Sequence, residues 1–138
     1  MQREEFTIKS QHDNLDLGVS LRIPAGKPRG ILQLVHGMAE HRERYHDFMD
    51  YCAEQGFVVI IHDHRGHGAS VQSEKDWGYF GPDGINGIID DVYQVTEYIK
   101  ERFSGLPLTL FGHSMGSLVV RCYMQKYDVA VNGLIVCG

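Results

Sequence analysis

The strongest signal of the fold of this chain is the segment Leu108-Thr109-Leu110-Phe111-Gly112-His113-Ser114-Met115-Gly116. Its first four residues form a short apolar run, which is typical of a strand buried inside a sheet. From Met115 onward, Leu118, Val119 and Cys122 have the spacing of the apolar face of a helix. The sequence therefore predicts a sharp turn between a strand and a helix, with one serine at its centre.

Two glycines, Gly112 and Gly116, flank Ser114 in a Gly-x-Ser-x-Gly pattern. A serine on such a turn is held in a strained backbone conformation, and glycines let neighbouring backbone pass without a Cβ clash. The hydroxyl then stands at the carboxyl end of the strand and the N-terminus of the helix, where unpaired N–H groups favour developing negative charge. This context predicts that Ser114 is a catalytic nucleophile, whereas the alternative is a flexible glycine loop without chemistry.

Similar apolar runs occur at 31–35, 57–61 and 134–137, and segments with helical spacing separate them. Strands that alternate with helices predict a mostly parallel α/β sheet with right-handed crossovers. The apolar positions of the two earlier helices are Tyr45, Phe48, Met49 and Cys52 in the first, and Ile88, Val92, Val95 and Ile99 in the second.

The N-terminal segments 6–10 and 15–23 instead alternate apolar and polar residues around the turn-forming 12–14. Such alternation favours half-buried strands, so the sequence predicts an antiparallel hairpin before the parallel strands begin.

The composition is that of a single globular domain spanning 1–138, with 43% hydrophobic and 22% charged residues and a formal net charge of -5. The 13 lysines and arginines nowhere form a run of five, which argues against a nucleic-acid partner. The three cysteines form no C-x-x-C pair, which favours buried thiols in a reducing compartment. Without a signal-peptide h-region or an apolar run of roughly 18 residues, we expect no transmembrane segment and a cytoplasmic location.

A second glycine turn, His36-Gly37-Met38-Ala39-Glu40, follows the apolar run at 31–35. In a parallel sheet this turn and the serine turn open on the same edge. An oxyanion hole of this architecture takes one N–H from the residue after the nucleophile and one from such a loop. The sequence thus predicts the backbone N–H groups of Met115 and Met38 as donors, although the turn could merely reverse the chain. The residues expected to shape the two turns are His36, Gly37, Gly112, His113 and Gly116.

Three motifs in order carry a family resemblance. They are 36–41 with Arg44-Tyr45, then Asp63-His64-Arg65-Gly66-His67-Gly68-x-Ser70, and then 112–117. Together they resemble monoacylglycerol lipases and bacterial lysophospholipases of the α/β-hydrolase fold. The resemblance covers the whole chain but only the N-terminal part of the family's domain, which continues through a cap and further core strands. It implies an α/β-hydrolase-type, mostly parallel sheet with an N-terminal antiparallel hairpin, incomplete because the cap and last core strands are missing.

The resemblance also implies a function. It indicates a serine hydrolase that cleaves monoacylglycerol or lysophospholipid carboxylic esters through an acyl-enzyme, with water as the second substrate and no cofactor. A small lipid ester is then the expected partner, which is compatible with transient contact with a membrane surface. Head group, acyl chain length and oligomeric state are not readable from these residues.

In this family the catalytic triad follows the chain order serine, acid, histidine. In this sequence no histidine follows Ser114. The only carboxylate after Ser114 is Asp128, which lies on the wrong element for an orienting acid. His113 neighbours the serine but points away from it, and His36 is expected to brace its loop. We therefore expect a truncated form of low or no activity, with a non-catalytic binding module of the same fold as the alternative. The histidines, all of which precede Ser114, are His12, His36, His41, His46, His62, His64, His67 and His113.

Two further alternatives are weaker. The histidine run at 62–67 resembles a metal-ligand run, but Gly66 stands where that run needs an aspartate before its last histidine, so no metal is expected. A dinucleotide-binding fold would need G-x-G-x-x-G after the first parallel strand, and Gly66-x-Gly68 lacks the third glycine.

Overall fold

The computed structural model describes residues 1–127 and 131–138. Within them, a two-stranded N-terminal hairpin is followed by four strands that alternate with three helices. The strands are β1 (Gln2–Lys9), β2 (Asp16–Ile23), β3 (Gly30–Val35), β4 (Phe57–His62), β5 (Leu108–His113) and β6 (Gly133–Cys137). The helices are α1 (His46–Glu54), α2 (Ile85–Arg102) and α3 (Met115–Tyr127), with short 3-10 turns at Arg42–Tyr45 and Glu74–Asp76.

The strands form one mixed sheet in the order β1-β2-β4-β3-β5-β6. Strands β4, β3, β5 and β6 run parallel to one another, whereas β2 is antiparallel to both β1 and β4. The predicted hairpin is confirmed, with Phe6 opposite Val19. Because β3 lies between β4 and β5, the loops that follow these three strands meet at one edge of the sheet.

Helices α2 and α3 cover one face of the sheet, and α1 covers part of the other. The predicted apolar positions of α2 are confirmed, because Ile88, Val92, Val95 and Ile99 are all fully buried. Each fully buried aliphatic side chain contributes about 1.5–3 kcal/mol relative to an exposed one.

The buried face of helix α3 agrees with the predicted one at Val119 but not at Leu118 and Cys122. Leu118 is 58% exposed and Cys122 is also exposed, while Val119, Val120 and Tyr123 are buried. The prediction was wrong because the close approach of the helix start to β3 sets the rotation of α3, which its spacing alone does not reveal. The thiols also differ from expectation, since Cys52 is buried but Cys137 is exposed like Cys122.

Strand β6 occupies one end of the strand order and pairs with β5 alone among the described residues. Its side chains Leu134, Ile135 and Val136 are exposed. No helix in the described ranges is both long and apolar enough to cross a membrane.

Candidate active site

Ser114 occupies the single position between the end of β5 and the start of α3. Its φ of 56° lies in the left-handed region, which costs a non-glycine residue on the order of 1–3 kcal/mol. Hydrogen bonds hold this conformation on both sides. The Ser114 N–H donates to the Cys137 carbonyl (2.8 Å), and the Ser114 carbonyl accepts from the Ser117 N–H (2.9 Å) and hydroxyl (2.6 Å). The backbone of Ser114 is thus fixed with its side chain on a sharp elbow.

The two glycines of the elbow leave no room for a side chain. A Cβ on Gly112 would collide with the Gly116 carbonyl, and a Cβ on Gly116 would collide with the Val35 carbonyl. Helix α3 therefore starts in direct contact with the end of β3. This contact also brings the loop after β3 against the elbow.

The loop after β3 packs directly on the serine. A Cβ on Gly37 would lie 3.1 Å from the Ser114 Cβ and 3.2 Å from the His113 carbonyl. The neighbouring Met38 side chain is 54% exposed, and Ala39 has a φ of 60°, so the loop turns sharply outward. Among the hydrogen bonds of residues 1–127 and 131–138, none has the N–H of Met38 or Met115 as its donor. These are the two groups that the sequence predicted as oxyanion donors.

His36, immediately before this loop, is fully buried and forms a reciprocal contact with His64 from the loop after β4. The His64 N–H donates to His36 Nε2 (2.9 Å), and His64 Nε2 lies 2.8 Å from the His36 carbonyl. His36 Nδ1 lies 2.7 Å from the Gly37 carbonyl, so it carries the proton. Burial lowers the pKa of His36 to about 4, although its bond to Gly37 opposes this, and the ring is therefore neutral at pH 7.

The loop after β4 is organised around two buried charged groups. The Asp63 carboxylate accepts from the N–H groups of Arg42 (2.6 Å) and Ala69 (2.9 Å) and from the Arg42 guanidinium. The Arg65 guanidinium pairs with Asp91 of α2 (2.7 Å) and with Asp13 of the hairpin turn (3.0 Å). The sequence did not predict these pairs, since Arg65 and Asp13 are 52 positions apart.

The histidines of 62–67 have different environments. His62 is fully buried with both ring nitrogens unpaired in the described part of the chain, and burial lowers its pKa to about 3. His64 is engaged with His36, and burial also lowers its pKa well below the usual value. Within the described ranges, no group of three or more His, Cys, Asp or Glu side chains is arranged to hold a metal ion.

A largely apolar cavity of about 370 Å³ opens beside the Met38 loop. Met38 and His41 contribute from one side, and His67 and Trp77 from the other. Trp77 is 60% exposed, so it lies at the rim and is not part of the packed core.

The hydroxyl of Ser114 has no hydrogen bond to an imidazole among the residues that the structure describes. His113 belongs to β5, and the His36 ring is committed to Gly37 and His64. Asp128, which the sequence predicted to lie on the wrong element for an orienting acid, lies outside the described residues. The site therefore brings together the serine elbow and the loop after β3, without a visible base.

A mixed sheet with a serine elbow after one of its central parallel strands, and a glycine loop packed on that elbow, is the architecture of the α/β-hydrolases. The chain belongs to the hydrolase family described as serine aminopeptidase, S33, which matches residues 26–138.

Relatives and solved structures agree with this assignment. The chain is 30% identical over 115 residues to a monoacylglycerol lipase of Mycolicibacterium smegmatis, covering 83% of this chain and 39% of the relative. It is 29% identical over 113 residues to a probable lysophospholipase L2 of Haemophilus influenzae, covering 82% of this chain and 36% of the relative. A thermostable carboxyl esterase of Bacillus coagulans, solved in complex with glycerol, superimposes with a TM-score of 0.92 at 35% identity, over 99% of this chain and 44% of the esterase.

The chain thus spans about two fifths of the length of these proteins. The sheet corresponds to an incomplete α/β-hydrolase fold, as the sequence predicted.

Proposed function

We propose that these residues carry the nucleophile and the oxyanion hole of a serine hydrolase that cleaves monoacyl lipid esters, as the N-terminal part of a single α/β-hydrolase domain. The observation that carries the proposal is the positive φ of Ser114 between β5 and α3, with Gly37 packed against its Cβ. Strain of this kind persists only where the surroundings over-determine it, and it is concentrated at functional sites.

In the proposed reaction, the Ser114 oxygen attacks the ester carbonyl and its proton passes to a general base. The carbonyl oxygen takes up the negative charge and accepts hydrogen bonds from the Met38 and Met115 N–H groups. Each such donor is worth on the order of 2.7–4 kcal/mol in the transition state. Collapse releases the alcohol with a proton and leaves an acyl-serine, which water hydrolyses to the free fatty acid.

A lipid substrate is supported by two observations. Relatives at about 30% identity are named monoacylglycerol lipase and lysophospholipase. The cavity beside Met38 is mainly apolar, and the exposed Trp77 lies at its rim. An apolar wall suits an acyl chain, because burial of methylene groups contributes about 0.8 kcal/mol each.

The described residues supply no base for Ser114, and a serine without a base is a weak nucleophile at neutral pH. We therefore propose that the 138 residues by themselves hydrolyse esters slowly or not at all. The same observation favours a second candidate, a binding module of the hydrolase fold that kept the cavity and has no chemistry.

An alkyl fluorophosphonate distinguishes these candidates, because it forms a bond between the serine oxygen and phosphorus with release of fluoride. We expect mass spectrometry to find the adduct on Ser114, and Ser114→Ala to abolish it. Ser104→Ala is the matched control, since Ser104 is exposed in the loop between α2 and β5. Labelling that survives Ser114→Ala would contradict the proposed nucleophile, whereas no adduct after prolonged incubation of the unchanged chain would fit the binding module or a serine that lacks its base.

A further inference from the structure

Both polar groups of the Gly37 backbone are held by hydrogen bonds. Its carbonyl accepts from His36 Nδ1–H (2.7 Å) and from the Glu40 N–H (3.4 Å). Its N–H donates to Glu40 Oε1 (2.8 Å). His36 and Glu40 thus hold Gly37 from opposite directions.

The held carbonyl fixes the next N–H group along the chain. The peptide between Gly37 and Met38 is planar and trans, so the Gly37 carbonyl and the Met38 N–H point in opposite directions. Because the carbonyl is directed at the buried His36 ring, the Met38 N–H is directed away from it. Rotation of this peptide would break the bond to His36.

Glu40 is itself held in place. Its Oε1 accepts a second hydrogen bond from the Tyr45 hydroxyl (3.0 Å). Burial alone would raise the pKa of Glu40, but the bonds from Gly37 and Tyr45 outweigh it and lower the pKa, so the carboxylate is charged at neutral pH. A charged acceptor makes a hydrogen bond roughly twice as strong as a neutral one.

We propose that Glu40 is a positioning residue, which acts with His36 to clamp the Gly37 backbone and so holds the Met38 N–H in its oxyanion-binding direction. This inference rests on the proposed function, because it assumes that Met38 is an oxyanion donor. Glu40 touches neither substrate nor the reacting atoms in this role. Glu40 also lines the cavity beside Met38, but as a positioning residue it acts through its hydrogen bond to the Gly37 N–H. This bond bears on Met38 and not on Met115, because Met115 is held by the elbow.

An alkyl boronic acid tests the inference on the 138-residue chain by nuclear magnetic resonance. The Ser114 oxygen adds to boron, its proton goes to the buffer, and the resulting anionic tetrahedral boronate carries an oxygen in the place of the oxyanion. In the unchanged chain, we expect the amide signals of both Met38 and Met115 to shift on addition. Ser114→Ala should remove both shifts.

The variants then separate the two donors. Glu40→Ala should keep the shift at Met115, lose the shift at Met38 and make amide exchange at Gly37 about tenfold faster. Glu40→Gln keeps an oxygen acceptor and should restore the Met38 shift. Glu43→Ala, at an exposed glutamate of the adjacent 3-10 turn, is the matched control and should behave as the unchanged chain.

The two possible failures are distinguishable. No shift at either amide in the unchanged chain would contradict the proposed function and the inference with it. A full Met38 shift in Glu40→Ala, with Met115 also shifting, would overturn the positioning role alone. A Met38 shift lost equally in Glu40→Gln and Glu40→Ala would also overturn it, because the acceptor oxygen would then not be what matters.

Discussion

The edge of the sheet where the loops after β3, β4 and β5 meet differs sharply from the flank formed by β6. At the loop edge, buried charges are paired and Gly37, Gly112 and Gly116 stand where backbones touch. At the β6 flank, three consecutive apolar side chains are exposed. Of these two regions, the one with specific buried polar contacts is where the chemistry is proposed, while the flank presents exposed apolar side chains.

Gly116→Ala should have the largest effect, because the added methyl group would occupy the space of the Val35 carbonyl. Neither backbone can move without breaking β3 or the start of α3. We expect a loss of at least about 4 kcal/mol, enough to abolish cooperative unfolding in urea. The control is Gly26→Ala, where a Cβ meets nothing within 4 Å. A Gly116→Ala chain that unfolds at the normal urea concentration would show that the elbow is not tightly packed.

Asp91→Ala should have the next largest effect. It removes one of the two carboxylates paired with the buried Arg65 guanidinium, and the acceptor of the Ser10 hydroxyl (2.6 Å). Leaving a buried charge without any partner costs about 3–5 kcal/mol, and because Arg65 keeps Asp13 we expect a loss near the lower end of that range. The matched control is Asp16→Ala, which breaks the exposed pair with Lys9 and should cost under about 1 kcal/mol in the same urea titration. Equal losses in the two variants would contradict the contrast between buried and exposed pairs.

Acid should destabilise the loop edge through its buried histidines. Burial lowers the pKa of His36 to about 4 and of His62 to about 3, against about 6.5 in the unfolded chain. Below pH 6.5 the unfolded state therefore binds protons that the folded state does not bind. The free energy of unfolding is highest above pH 6.5 and falls as the pH is lowered toward 4. For His36 alone this loss is about 3 kcal/mol.

His62→Phe tests the acid effect directly. It replaces a buried ring whose nitrogens have no partner among the described residues, so the folded state should tolerate it. We expect the midpoint of acid unfolding, followed by circular dichroism, to move to lower pH. An unchanged midpoint would show that His62 does not titrate on unfolding. His41→Phe, at a partly exposed position, is the control and should leave the midpoint in place.

Local patterns in the sequence were sufficient to predict the sheet and the elbow. Apolar runs located four strands, and apolar–polar alternation located the two hairpin strands. The strand-to-helix context of Ser114 predicted the turn that its positive φ now displays. The contacts that fix the site were not predictable in this way. The His36–His64 contact joins residues 28 positions apart, and the face of α3 depends on the contact of Gly116 with β3. Such contacts form only when the loops meet at one edge of the sheet, so the hydrophobic periodicity of the sequence does not predict them.

The β6 flank should respond least in stability and most in association. Ile135 is 46% exposed, so Ile135→Lys removes little buried surface and should change the free energy of unfolding by under about 1 kcal/mol. An exposed apolar edge strand is a template for pairing with another chain, and a charge on it opposes such pairing. We therefore expect the unchanged 138 residues to associate with rising concentration in sedimentation velocity, and Ile135→Lys to shift them toward monomer. Leu118→Lys is the control, because it places the same charge on an exposed leucine of α3, away from the strand edge. If both substitutions reduce association equally, general solubility accounts for the effect and the β6 edge has no special role.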